Sequence, residues 1–206
     1  MSRRENRELA QHFDRLARKG FMREFSPEES ARVRKLLAAW GIRRGERVLE
    51  PGCGSGRLTE HLARAVGPDG EVLAFDVSPE MTAMARQRSY AGAVQVIEAD
   101  GAAIPRPSGH FGKVICFQVF PHLVAAAAVL AEFHRALKPG GDLWINHLAS
   151  REAVNRIHRE AGPPVAGHLL PGEGEWEGLL AGAGFHLRAL SDTDEGFSVH
   201  AARSTT

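Results

Sequence analysis

From Arg47 onward the chain repeats one pattern, a short and nearly continuous apolar run followed by a segment with apolar residues at helical spacing. The runs are RVLEP, EVLAFD, AVQVIEA, KVICFQVF and DLWINHL, and the helical segments span 57–66, 79–88, 124–137, 151–159 and about 175–181. A strand that is apolar along its whole length is buried on both faces, and a helix between successive strands supplies the crossover that parallel pairing requires. The expected architecture is therefore α/β, a mostly parallel sheet with helices on both faces.

The last two runs, FHLRALS and GFSVHAAR, are joined through Asp192-Thr193-Asp194, which is too short for a crossover helix, so this pair is antiparallel. Ahead of the sheet, residues 9–18 and 27–40 carry helical spacing. The second segment opens with Ser26 as N-cap, Pro27 at the first helical position and Glu29 as third-position acid, and closes at Gly41. Pro163-Pro164, Gly167 and residues 171–174 mark one irregular stretch, and there is no internal repeat. A length of 206 residues accommodates a single domain of this kind with a full core. Residues 1–40 are expected to form a lid of helices on a domain spanning 41–206, with a substrate-side insertion at about 149–174.

Lys and Arg total 26 against 25 Asp and Glu, a formal charge of +1, which gives no broad basic field for nucleic acid or an anionic membrane. The basic start is followed by no apolar run, so the reading is a cytoplasmic protein without signal or anchor. Cys53 and Cys116 lie in strand-and-turn contexts, not at metal-ligand spacing, and read as reduced, small apolar side chains.

The segment VLEPGCGSGRLTEHLA runs from a buried strand through Gly52, Gly54 and Gly56 into a helix. Glycine permits the sharp turn and the close approach of a ligand to the backbone, and the helix start offers unpaired N–H groups. Alone, such a loop is weak evidence, since it also reads as a plain strand-to-helix turn with no ligand. Asp76 ends the next strand, where a carboxylate can accept both hydroxyls of a ribose, and Asp100 ends the third, placed to accept from an exocyclic amine such as that of adenine. Either aspartate taken singly also reads as a helix cap or a solvated turn residue. The glycine spacing differs from the G-x-G-x-x-G of dinucleotide dehydrogenases, and Glu50 precedes it. That favours an adenosine ligand with an amino-acid tail, whose ammonium Glu50 can meet, over a pyrophosphate.

With these motifs in order, the sequence resembles the class I S-adenosylmethionine (SAM)-dependent methyltransferases, within them the broad type-11 group acting on small molecules. The resemblance runs from about Phe13 to the final strands on VLEPGCGSG, LAFDVSPEM, EADGAAIP, FGKVICFQVFPHL and EFHRALKPGGDLWI. It implies a Rossmann-like seven-stranded sheet of order 3-2-1-4-5-7-6 with strand 7 antiparallel. It also implies SAM as cofactor, with Glu50, Gly52 and Gly54 at the methionine portion, Asp76 at the ribose, and Cys53 and Val77 also among the cofactor-binding residues. Met81 would lie on the adenine face, Asp100 with Gly101 and Ala102 at the adenine edge, Gln118 near the sulfonium and Phe13 over the cofactor. Met81 and Phe13 also read simply as core residues.

Methyl transfer is an in-line displacement, so the enzyme chiefly aligns a nucleophile and excludes water, with a base needed where the nucleophile carries a proton. After the fourth strand the chain reads Gln118-Val119-Phe120-Pro121-His122, not the Asn/Asp-Pro-Pro-aromatic motif of many nucleic-acid and protein amide methyltransferases. No carboxylate cluster of the metal-dependent catechol type is visible. Histidines gather instead: His122 after the fourth strand, His147 at the end of the fifth, then His158 and His168 in the irregular stretch. His147 and His122 are the candidate catalytic groups, His147 as a proton acceptor titrating near working pH. Arg151, Asn155 and His158 share a face of a helix opened by Ser150 and are the candidate substrate-binding residues, with Val154, Ile157 and Ala161 on an inward-packing neighbouring face. Each histidine alone is also readable as a surface group and the polar stripe as a solvated face. Whether the imidazoles hold a metal, which takes at least three converging on one point, is open at this stage. The partner is a small-molecule methyl acceptor, and the competing reading is a SAM-binding accessory or regulatory protein without turnover.

Overall fold

The computed structural model describes residues 3–123 and 125–205. In chain order the elements are α1 (Arg3–Arg18), α2 (Pro27–Trp40), β1 (Arg47–Pro51), α3 (Arg57–Val66), β2 (Glu71–Asp76), α4 (Pro79–Arg86), β3 (Ala93–Glu98) and β4 (Phe111–Phe117). A 3-10 turn (Phe120–His122), α5 (Ala126–Ala136), β5 (Leu137–His147), α6 (Arg151–Ala161), a 3-10 turn (Glu173–Glu175), α7 (Trp176–Gly182), β6 (Phe185–Thr193) and β7 (Gly196–Arg203) follow. The strands form one seven-stranded sheet of order β3-β2-β1-β4-β5-β7-β6, with β7 antiparallel to both neighbours. This is the Rossmann-like α/β topology expected. The chain divides into two compact units, residues 3–100 and the chain from Gly101 on.

In residues 3–100, β1 and β2 bury Val48, Leu49, Val72, Leu73 and Ala74 completely. Helix α3 turns Leu58, Leu62, Ala63 and Val66 into the core. Helix α2 carries the full capping box, with Ser26 Oγ accepting from Glu29 N, and ends at Gly41 in the left-handed conformation. Helix α1 is fastened to α4 by polar contacts: Asp14 Oδ1 accepts from the Ser78 hydroxyl at 2.6 Å and from Glu80 N at 3.2 Å, and Arg18 pairs with Glu80 at 2.8 Å. It begins at Arg3, six residues before the expected start at Leu9, because its first turns are polar and show no apolar period. An Arg4–Glu8 pair at i, i+4 supports them.

In the unit from Gly101, β4 is buried along its whole length, and α5 turns Val129, Leu130, Phe133 and Ala136 into the core. Trp176 of α7 packs between Phe120 and Phe197. Trp144 and His200 stack face to face, with His200 Nε2 on Asp142 and Lys113 Nζ on the other oxygen of that carboxylate, both at 2.8 Å. Strand β5 starts at Leu137, earlier than the DLWINHL run, because Phe111 pairs with Leu137 before a register shift brings Lys113 opposite Asp142. The expected first residue of the fifth helical segment, Val124, lies outside the described residues, and the helix runs from Ala126. The hairpin turn is Asp194-Glu195, two residues later than expected, because β6 continues pairing through Thr193 with Gly196. In α6, Val154 packs inward but Ile157 is 55% exposed and Ala161 exposed. The inward position beside Val154 is taken by Asn155, which is buried with both ends of its amide bonded. Among the described residues no helix is long and apolar enough to cross a membrane.

Gly56 caps α3 at φ +79°, and a Cβ there would fall 2.2 Å from Tyr90 Oη and 3.2 Å from Ala85 Cα. Gly56→Ala should therefore cost more than the roughly 1–2 kcal/mol of the left-handed conformation alone. Denaturant unfolding checks this, and Tyr90→Phe in the same chain should recover the part due to the hydroxyl.

Candidate methyl-donor and acceptor sites

In residues 3–100 the glycine loop leaves β1 at Pro51 and turns through Gly52 and Gly54, both at positive φ. It is held by Asp76 at the end of β2. Asp76 Oδ2 accepts from Gly54 N and Oδ1 from Ser78 N, both at 2.9 Å. Burial pushes the Asp76 carboxyl up to about 6, against the backbone donors of Ser78, Gly54 and Val77, which favour its ionised form. Each oxygen retains acceptor capacity, since a carboxylate offers about four lone-pair positions. A Cβ on Gly54 would meet nothing within 4 Å, so the space over the loop is open and no protein clash adds to the backbone strain there.

Glu50 is buried at the end of β1, and its Oε2 has no hydrogen-bond partner among the described residues. Burial raises its carboxyl to about 8; the Thr59 hydroxyl lowers it without reaching hydrogen-bond geometry, and the Asp76 charge raises it further. The Cys53 thiol is raised by burial and then by these two acids, so it stays protonated, as expected of a small apolar side chain. Met81 is buried on α4, Val77 and Phe13 are half-buried, and Asp100 is exposed with Oδ2 accepting from Asn6 Nδ2 at 3.0 Å. Thr59 and Asn6 escaped the sequence reading. A threonine inside a helix and an asparagine in a polar N-terminal segment carry no pattern of their own.

The fit to SAM can be tested on these residues. A buried carboxylate oxygen without a donor matches an ammonium, the open space over Gly54 admits a ligand against the backbone, and Asp76 keeps lone pairs for hydroxyls. The residues fit. Glu50 and the Gly52–Gly54 backbone would hold the amino-acid end, and Asp76 the ribose.

In the unit from Gly101, Gly101 is buried and Ala102 exposed, and Gln118 follows β4 at φ 54°, its N–H donating to Asn146 O at 2.7 Å. Four histidines gather there. His122 Nδ1 and His168 Nδ1 approach to 3.0 Å, and the His122 ring centroid lies 4.7 Å from that of His158. His158 Nδ1 bonds to the carbonyl of His168. His147 is buried with Nε2 lacking a partner among the described residues, and burial, followed by the His158 charge, lowers its pKa to about 3. The expectation that His147 titrates near working pH is thereby corrected: in a dry site the cation is not solvated and the ring stays neutral. Asn155 Nδ2 donates to Leu170 O at 3.2 Å and its Oδ1 accepts from Leu170 N at 2.7 Å, so its amide is occupied within the chain. Arg151 binds Asp192 through its N–H at 2.9 Å and its guanidinium at 3.7 Å. Among the described residues no three His, Cys, Asp or Glu side chains are arranged to hold a metal ion.

The sheet order and a glycine loop whose surroundings fit SAM define a class I SAM-dependent methyltransferase, and the chain belongs to that family. The family model described as "Methyltransferase domain" matches residues 48–141. Over 171 residues the chain is 30% identical to the ubiquinone/menaquinone biosynthesis C-methyltransferase UbiE of Azotobacter vinelandii, covering 70% of this chain and 68% of that enzyme. Against the enzyme of the same name from Pseudomonas putida it is 31% identical, with 68% of this chain and 59% of the relative covered. A SAM-dependent methyltransferase structure from Aquifex aeolicus superposes with a TM-score of 0.68 at 26% identity, over 82% of this chain and 88% of that one. The protein is a SAM-dependent methyltransferase.

Two pH effects follow from the buried groups. An ammonium brought to Glu50 favours the ionised carboxylate, so below about pH 8 SAM binding should release a proton. Titration calorimetry in buffers of different ionisation enthalpy reads that proton, and Glu50→Gln should abolish it. His147 binds its proton in the unfolded chain near 6.5 but in the folded one only near 3. The unfolded state therefore holds more protons in this window, and stability falls as pH drops below about 6.5, by up to about 1.4 kcal/mol per pH unit from this group. Unfolding curves of His147→Leu between pH 6 and 4 should be flatter than the parent's by that slope.

Proposed function

We propose that the acceptor is a hydroxylated aromatic ring of the kind from which quinones are made, methylated at carbon. The observation that carries this reading is the imidazole group of His122, His147, His158 and His168, with one ring held neutral by burial. Deprotonating a ring hydroxyl makes the adjacent carbon nucleophilic, and an imidazole is suited to receive that proton near neutral pH. SAM, when bound, supplies an electrophilic methyl group on a sulfonium. In this reading His122 takes the hydroxyl proton. His147, too weak a base to remove it, accepts a hydrogen bond and orients the ring. His158 lines the same group, while Asn155 and Arg151 contribute by fixing the segments that carry it. Both curated relatives named above are C-methyltransferases of quinone biosynthesis, which supports the acceptor class.

The adenine-edge role of Asp100, Gly101 and Ala102, the placement of Gln118 near the sulfonium, the cover formed by residues 1–40 and a cytoplasmic location belong to the same proposal. The test is an acceptor panel of hydroquinones, catechols, amines and thiols, with products read by mass spectrometry and carbon NMR. A carbon-methylated hydroxyaromatic is the expected product, with His122→Ala lowering turnover by roughly 10²-fold at unchanged SAM affinity. Methylation confined to amines or thiols would overturn the reading.

A further inference from the structure

We infer that the turn between α1 and α2, with the cations that flank it, is a docking surface for an anionic lipid bilayer. Among the described residues the exposed large apolar side chains include one adjacent pair, Phe21 at 47% and Met22 at 37%. The whole chain has a formal charge of only +1, but residues 15–23 hold Arg15, Arg18, Lys19 and Arg23 and no acid. The acids that border the segment are engaged, Asp14 by the Ser78 hydroxyl and Glu80 N, and Glu24 by Arg88. Arg18 is paired with Glu80, whereas the side chains of Arg15, Lys19 and Arg23 form no hydrogen bond or ion pair among the described residues. Arg18, Lys19 and Arg23 line one open depression of about 460 Å³, and Arg15 lies one helical turn before Arg18.

Backbone bonds hold this turn in place. Helix α1 stops at Gly20 with φ 72°, where Gly20 N donates to Ala17 O at 2.9 Å and Phe21 N to Leu16 O at 3.0 Å. This helix stop commonly packs the residue after the glycine back onto the helix, yet the Phe21 ring stays half exposed. Met22 follows at φ 53°, an uncommon conformation for a residue with a Cβ. The buried Ser55 hydroxyl donates to Met22 O at 2.8 Å, and the Arg88 guanidinium donates to Arg23 O. The unit thus spends backbone strain to keep two apolar side chains in an exposed turn. An apolar tip among cations matches the layering of a bilayer surface, acyl chains beneath a sheet of phosphates. A two-fold dimer through the same patch would set its cations against one another, so charge favours the lipid.

The experiment measures sedimentation of the full chain with sucrose-loaded vesicles of phosphatidylcholine alone and of phosphatidylcholine mixed with phosphatidylglycerol. Binding to the mixed vesicles should be at least roughly tenfold tighter and should weaken steeply with added sodium chloride. Arg15→Gln, Lys19→Gln and Arg23→Gln, combined in one chain, should cost roughly fivefold per cation removed. Phe21→Ser with Met22→Asn should cost roughly tenfold. Asparagine tolerates positive φ, so the unfolding midpoint of that variant should not fall through position 22, which separates lost docking from lost folding. Failure of the parent to bind the mixed vesicles overturns the inference, as does binding undiminished in either variant. Inorganic phosphate that displaces the protein beyond the effect of equal ionic strength would assign the cations to a soluble anion and overturn it too. So would a dimer, seen by sedimentation equilibrium, that the Phe21→Ser and Met22→Asn changes abolish, since a second copy would then occupy the patch.

Discussion

The carboxylate of Asp76 is the knot that ties the glycine loop to its neighbours in residues 3–100. One of its oxygens holds Gly54 N and the other Ser78 N, so a single buried side chain joins the end of β2, the turn after β1 and the start of α4. Ser78 in turn caps α4 through its hydroxyl oxygen and donates to Asp14, which brings α1 into the same network. Each backbone N–H would cost about 1–3 kcal/mol if left buried without an acceptor. The loop conformation that leaves space for a ligand is therefore maintained by bonds that exist before any ligand arrives.

Other parts of the unit are held less economically. Glu50 and Thr59 face each other in the interior without completing a hydrogen bond, and burial keeps the Glu50 carboxyl protonated up to about pH 8. A low-dielectric interior penalises such a group and strengthens its attraction to a cation that reaches it. The Lys113–Asp142–His200 network, also partly buried, shows the contrast: burial raises the Asp142 carboxyl, and the hydrogen bonds from Lys113 and His200 more than reverse it. One carboxylate is satisfied within the protein, and the other keeps a buried oxygen without a donor among the described residues.

The histidines show how far environment separates identical side chains. His200 stacks on Trp144 and bonds a carboxylate, His134 packs edge-on against Phe185 with its pKa lowered by burial and Arg203, and His147 is dry and neutral. His122, His158 and His168 bond to one another or to backbone. His200 carries its proton on Nε2, because the Asp142 carboxylate it meets can only accept, and His158 carries one on Nδ1, because it meets a carbonyl.

Periodicity and glycine spacing alone determined the element order, the antiparallel last pair, the cap residues of α2 and the candidate ligand loop, because these depend on near neighbours in the chain. The resemblance carried by the ordered motifs added the strand order. Element ends were less legible: β5 gained residues by pairing with Phe111, and α1 extended into a stretch with no apolar period. The outward turn of Ile157 and the inward turn of Asn155 were hidden because an asparagine is buried only where a backbone segment distant in sequence can satisfy its amide. The same holds for the charge state of His147 and for the donor on Asp100. Sequence determined which residues could do chemistry, and tertiary structure decided their protonation and partners, because desolvation and hydrogen bonding arise from contacts between residues far apart in the chain.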